Sequence, residues 1–179
     1  MEDESLNISP SPILAMSDDE LLEQIFALLS SRVHANAYGD ESEFASSIDS
    51  LPVGLRAMAA THWLDVSLTL DSLGWHFLNF GEPGFVKETE LGLRELGLDD
   101  LAGWFVEAYE IVNPLKAEIR DSDEYDETLI NHGCSERMDE LNALAWAKDN
   151  GSDKKSKGSV IYNSWVRYAR QYPERVFEG

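Results

Sequence analysis

From Ser17 onward the chain keeps returning to one pattern. Apolar residues recur three or four positions apart, in runs opened by a capping residue or proline and closed by glycine or proline. The first run, SDDELLEQIFALLSSRV, carries Ser17 and, three residues later, Glu20, the arrangement of a capping box. Acids fill its first turn, where the helix dipole favours them, and Leu21, Leu22, Ile25, Leu28, Leu29 and Val33 form a stripe at helical spacing. No segment alternates with period two between turn residues, and no internal repeat is present. The expectation is an all-α fold, one compact domain of about six to seven helices.

The remaining runs follow the same logic. A short helix is expected near Glu41–Ile48. Pro52 opens a long one in which Leu55, Met58, Ala59, His62, Trp63, Val66, Leu70 and Leu73 keep to one face, with Arg56, Asp65, Ser67 and Asp71 elsewhere. This helix is expected to run on into LDSLGWHFLNF and to end before the turn Gly81–Gly84. EPGFVKETELGLRELG predicts a helix from Pro83 to Gly97, and LDDLAGWFVEAYEIV one from Asp99 to Val112, blocked by Asn113-Pro114. DSDEYDE reads as a solvated acidic turn. Ser135 caps a helix that stops at Gly151, and a last helix stops before Pro173. Residues 1–16 read as a flexible acidic leader and 17–179 as the helical domain.

Charge narrows the function classes. The formal net charge is −20, from 14 Lys and Arg against 34 Asp and Glu. Residues 1–147 hold 30 acids and 7 bases, whereas 148–179 hold 4 and 7, so the C-terminal loop and helix are basic. Binding to nucleic acid requires cations that displace counterions from phosphates, which argues against direct contact with DNA or RNA. The same field attracts basic protein surfaces. The N-terminus lacks the basic start and apolar run of a signal peptide, and no stretch is long and apolar enough for a bilayer. One cysteine, Cys134, leaves no internal disulfide, so the expected location is the cytoplasm.

Motifs with a fixed chemistry are missing. Counting an EF-hand from Asp121 puts Tyr125, Asp126 and His132 where an oxygen ligand, a glycine and a glutamate are required. His132-Gly133-Cys134 is too few ligands for zinc, and its acidic surroundings do not favour a reactive thiolate. Glycine-rich phosphate loops and the GxSxG and HExxH signatures do not occur. No catalytic residue, metal or cofactor is expected. His76, between Trp75 and Phe77, reads first as a buried, hydrogen-bonded histidine and second as a general base.

The acids form the more informative constellation. Glu88, Glu95 and Asp99, then Asp100, Glu107 and Glu110, then Glu136, Asp139 and Glu140 recur three, four or seven residues apart. On a helix that places carboxylates on one face roughly 5–10 Å apart along the axis, the order of phosphate spacing in nucleic acid. The run Asp121, Asp123, Glu124, Asp126 and Glu127 adds to them. These acidic faces are the candidate partner-binding residues.

Residues 51–112 and the tail resemble a family of small bacterial all-helical domains whose best-understood class is an acidic DNA mimic. Leu51, Pro52, Leu55 and Arg56 look like its opening, Gly74-Trp75 like its Gly-Phe step, and Leu96-Gly97 and Ala108 like later landmarks. Tyr168, Tyr172-Pro173-Glu174 and Phe177 are similar to its tail. Leu73 and Phe77 depart from that pattern, where a second glycine and a glutamine are usual. The resemblance implies a helical domain, able to form a homodimer, that occupies the DNA-binding surface of a transcription factor or another basic protein. Two alternatives stand beside it: an immunity-type inhibitor of a basic toxin or nuclease, and an enzyme with a pocket at His76.

Overall fold

The computed structural model describes residues 13, 15–119, 122–150 and 159–178. Among these residues there is no strand, and the helices enclose one hydrophobic core. Ten α-helices are described in full: α1 Asp18–Arg32, α2 Glu41–Ile48, α3 Val53–Leu70, α4 Leu73–Phe80, α5 Pro83–Glu95, α6 Asp99–Val112, α7 Ser122–Asn131, α8 Ser135–Asn150, α9 Val160–Gln171 and α10 Glu174–Phe177. Short 3-10 turns fill Ala35–Gly39 and Asn113–Leu115. The count exceeds the expected six or seven for three reasons. The long helix divides, the acidic run DSDEYDE winds into α7, and a four-residue helix follows Pro173.

Local signals set most helix starts. Ser17 and Glu20 form the reciprocal capping box, with Ser17 N donating to Glu20 Oε2 at 2.7 Å and Glu20 N to Ser17 Oγ at 3.2 Å. Asp40 caps α2 and Ser159 caps α9. Pro83 stands in the first turn of α5, and Gly97, at φ +74°, ends that helix while Leu98 N bonds back to Leu93 O. The division between α3 and α4 has no glycine or proline. There the Ser72 hydroxyl accepts from Trp75 N at 3.2 Å and donates to Asp71, and Leu73 N donates to Asn142 Oδ1 on α8 at 3.0 Å. Side-chain competition for the backbone breaks the helix. The redirected chain leaves Leu70, expected in the core, 72% exposed.

α3 is the centre of the molecule, and α1, α4, α5, α8, α9 and α10 all pack against it. It is not the one-faced amphipathic helix that its spacing suggests, because Asp65 and Ser67 are as buried as Leu64 and Leu68. Its polar groups are matched from other elements. Trp165 Nε1 donates to Thr61 Oγ1 at 3.0 Å, Thr89 Oγ1 to Ala60 O at 3.0 Å, and Tyr38 OH to Ala59 O at 3.2 Å. The C-terminal segment is part of this body, with Trp165 and Ala169 fully buried. Arg170 ties the two ends of the body together, bonding Asp18, Ile13 O and Met16 O. Ile13 is buried, so packing starts inside the expected leader, whose residues 1–12 lie outside the described ones.

α5 approaches α3 through Gly92. A Cβ there would lie 2.9 Å from the Ala57 carbonyl oxygen and 3.1 Å from Thr61 Cγ2. Because the first contact is backbone, relief requires the two helices to separate. Gly92→Ala is therefore expected to cost about 1–3 kcal/mol, read as a lower urea midpoint at unchanged m-value.

Candidate functional site

The fourteen candidate carboxylates do not share one surface. Glu88 is buried and corrects the expectation of an exposed face: Arg56 grips it with two hydrogen bonds of 2.9 Å, joining α3 to α5. Glu95 accepts from the Tyr168 hydroxyl and pairs with Arg175 at 2.9 Å. Asp99 faces Arg94 at 3.6 Å, and Asp100 meets Lys148 at 3.2 Å. Arg137 bridges Glu107 on α6 and Glu140 on its own helix, each at 2.7 Å. That arginine, through hydrogen bonds and charge, holds the Glu107 carboxyl below its ordinary range. Glu124 has a partner of its own. Asp121 and the Asp123 side chain lie outside the described residues.

The carboxylates left without a cation among the described residues are Glu110, Asp126, Glu127, Glu136 and Asp139, all exposed. Two of them, with Asp71 from the α3–α4 break, open onto a cleft of about 340 Å³ between α4, α7 and α8. Trp75, Leu78 and Met138 form its apolar floor. Tyr125 reaches into the same place, its ring against Gly74, where a Cβ would collide with it. Burial, then Asp126, Asp139 and Asp71, push the Tyr125 phenol above its ordinary range. The cleft therefore has three convergent carboxylates over an aromatic and aliphatic base. Sequence spacing missed Asp71, because its place at the cleft depends on the chain break and on α7.

His76 is sealed. It is 1% exposed and lines none of the cavities described here, so the structure shows it as the buried, hydrogen-bonded histidine of the first reading. The Ser67 hydroxyl donates to Trp63 O at 2.7 Å and so receives Nδ1–H of His76 at 2.9 Å. His76 Nε2, Trp63 Nε1 and the Tyr125 hydroxyl are buried without a partner among the described residues. Burial lowers the His76 pKa to about 3. His132 and Cys134 do not form a joint site: the imidazole pairs with Glu118 at 2.9 Å, and the thiol faces the His132 carbonyl. Among the described residues no group of three or more His, Cys, Asp or Glu is placed to hold a metal, and no helix is long and apolar enough to cross a membrane.

A second polar system, absent from the spacing analysis, starts at Asp65. This carboxylate is 3% exposed and accepts hydrogen bonds from Ser159 and Tyr162. The Tyr162 hydroxyl also meets His62 Nδ1 at 3.0 Å. Its one signal in the sequence is the single carboxylate within the long helix, between Leu64 and Val66. Burial raises the Asp65 pKa to about 6, against the lowering effect of its two donors. Comparison with protein-family models, curated proteins and solved structures gives no match for this chain.

The two buried groups drive stability in opposite directions with pH. The unfolded His76 takes up a proton near pH 6.5 and the folded one does not, so stability falls as pH drops from 6.5 towards 3. His76→Asn keeps a donor for Ser67 and removes that titration. Relative to the native chain it should recover by about 1–3 kcal/mol between pH 7 and 4, whatever its constant packing cost. For Asp65 the folded group holds its proton longer, so stability is lost as pH rises from about 4 through about 6. Asp65→Asn should therefore gain on the native chain by about 1–2 kcal/mol over that window, measured by urea denaturation at each pH.

Proposed function

We propose that the protein is a non-enzymatic acidic binding module that receives a basic protein partner on the α4–α7–α8 side, competing there with nucleic acid for that partner. The observation that supports this reading is the cleft where Asp71, Asp126 and Asp139 converge with no cation from the described residues. Other acids are paired internally: Arg56, Arg137, Lys148, Arg170 and Arg175 each take one or two. Unpaired carboxylates held close together repel one another, and a lysine or arginine from outside relieves that repulsion. The negative field of the whole chain speeds the approach of such a partner. The apolar base offers the stem of a long cationic side chain a surface to lie on. The resemblance of residues 51–112 to the DNA-mimic family supports the same class of partner.

Capture of partners from host cells, followed by a competition assay between the captured protein's DNA and this chain, tests the reading. The expected outcome is a DNA-binding protein that leaves its DNA as the chain is added at physiological salt. The triple variant Asp71→Lys, Asp126→Lys, Asp139→Lys should slow association about tenfold or more, with a weaker dependence on salt. Capture of a toxin or nuclease instead, with rescue of its toxicity, would favour the immunity alternative. Partners that stay on their DNA would defeat mimicry.

A further inference from the structure

A cavity of about 240 Å³ lies between α1, the Ala35–Gly39 turn and α3, away from the acidic cleft. Its walls are Phe26, Leu29, Val33, Tyr38, His62 and Trp63, with exposed Ser30 at the rim. Four of these seven residues carry aromatic rings, each in contact with at least one of the others. Phe26 meets the His62 ring at 5.8 Å and 73°, Tyr38 meets it at 6.3 Å and 62°, and Tyr38 meets Trp63 at 5.9 Å and 70°. His62 thus touches both Phe26 and Tyr38, and all three line the cavity.

The polarity of the imidazole follows from the chain of hydrogen bonds behind it. An ionised Asp65 carboxylate only accepts, so the Tyr162 hydroxyl donates its proton to Asp65. The hydroxyl oxygen then takes Nδ1–H from His62, at 3.0 Å. The remaining ring nitrogen, Nε2, then carries a lone pair, and His62 is one of the residues that line the cavity. Burial lowers the His62 pKa, which keeps the ring uncharged and a hydrogen-bond acceptor. Among the described residues no lysine, arginine or carboxylate lines the cavity.

We infer that this cavity is a binding site for a small organic ammonium ion with an aromatic or short alkyl body. An N–H of the cation donates to His62 Nε2, the aromatic walls hold its body and favour its charge, and the net charge of −20 draws it in. Size agrees: an apolar cavity of about 150 Å³ accepts benzene, so 240 Å³ admits a ring with a short arm. This site uses none of the residues of the acidic cleft, and its failure leaves the protein-partner reading untouched.

Three probes separate the contributions, titrated into the full chain by NMR at physiological salt: 2-phenylethylammonium, 2-phenylethanol and ethylbenzene. The ammonium should saturate one site and bind about tenfold more tightly than ethylbenzene, with the alcohol between them. His62→Phe preserves the aromatic wall without the acceptor. It should weaken the ammonium about fivefold or more and leave ethylbenzene unchanged. Ser30→Trp, at the exposed rim, plugs the cavity without touching the core and should abolish all three. The inference is overturned if no probe saturates below about 10 mM. Equal affinity for the ammonium and ethylbenzene would overturn it too, as would ammonium binding that survives Ser30→Trp, which would place the cation on surface carboxylates.

Discussion

Everything in this molecule depends on burying α3 without stranding its polar groups. A helix surrounded by other helices has no solvent-facing side on which to put a threonine, a serine or an aspartate. The Thr61 and Ser67 hydroxyls donate to Ala57 O and Trp63 O of their own helix, and each buried group also takes a partner from a different element, which helps to position that element. Thr61 takes the indole of Trp165 and locates α9. Ser67 takes His76 and locates α4 just after the chain has broken at Asp71. Asp65 takes Ser159 and Tyr162 at the start of α9, so the cap of one helix is also the counterpart of a buried carboxylate in another. Arg56 and Glu88 do the same for α5 at the half-buried end of α3. Hydrophobic burial supplies the drive to collapse, and these unlike pairings select one arrangement among the ways such helices can stack.

The charge of −20 has two distinct structural destinations. Part of it is internal mortar: Arg137 spans α6 and α8, Arg170 joins the start of α1 to α9, and Arg175 joins the tail to α5. Each of these three arginines secures two elements, and the exposed pairs among them add little stability apiece. The rest of the charge is unneutralised by the described residues, and part of it gathers where α7 and α8 meet the α3–α4 break. Acidity alone distinguishes neither role, because both use the same residue types at the same helical spacings. What separates them is whether an arginine or lysine from a distant part of the chain arrives at the carboxylate.

Legibility followed the range of the interaction. α1, α2, α5 and α6 were readable because a capping side chain, a proline or a glycine within a few residues marks their ends. α7 was hidden because the acids of DSDEYDE obscure Tyr125, Thr128 and Leu129, whose shared face packs inward. The α3–α4 break was hidden because Asp-Ser interrupts a helix only when something, here Asn142 of α8, takes the freed backbone N–H. Of the proposed sites, single carboxylates were visible as types but not as a cleft. The His62 cavity left no trace in the spacing, since its walls come from three separated segments.

By itself, then, the sequence determined an all-helical chain, the places where most helices begin and end, and a large excess of acid over base. These are properties of composition or of neighbours within one or two turns, where geometry is set by local backbone hydrogen bonding. Tertiary structure alone decided which helix lies at the centre and which carboxylates are consumed by ion pairs. It also sealed His76 and left His62 open to a cavity. Those outcomes rest on contacts between distant residues, a hundred or more positions apart in pairs such as Tyr162 with His62 and Trp165 with Thr61, and no local pattern encodes them.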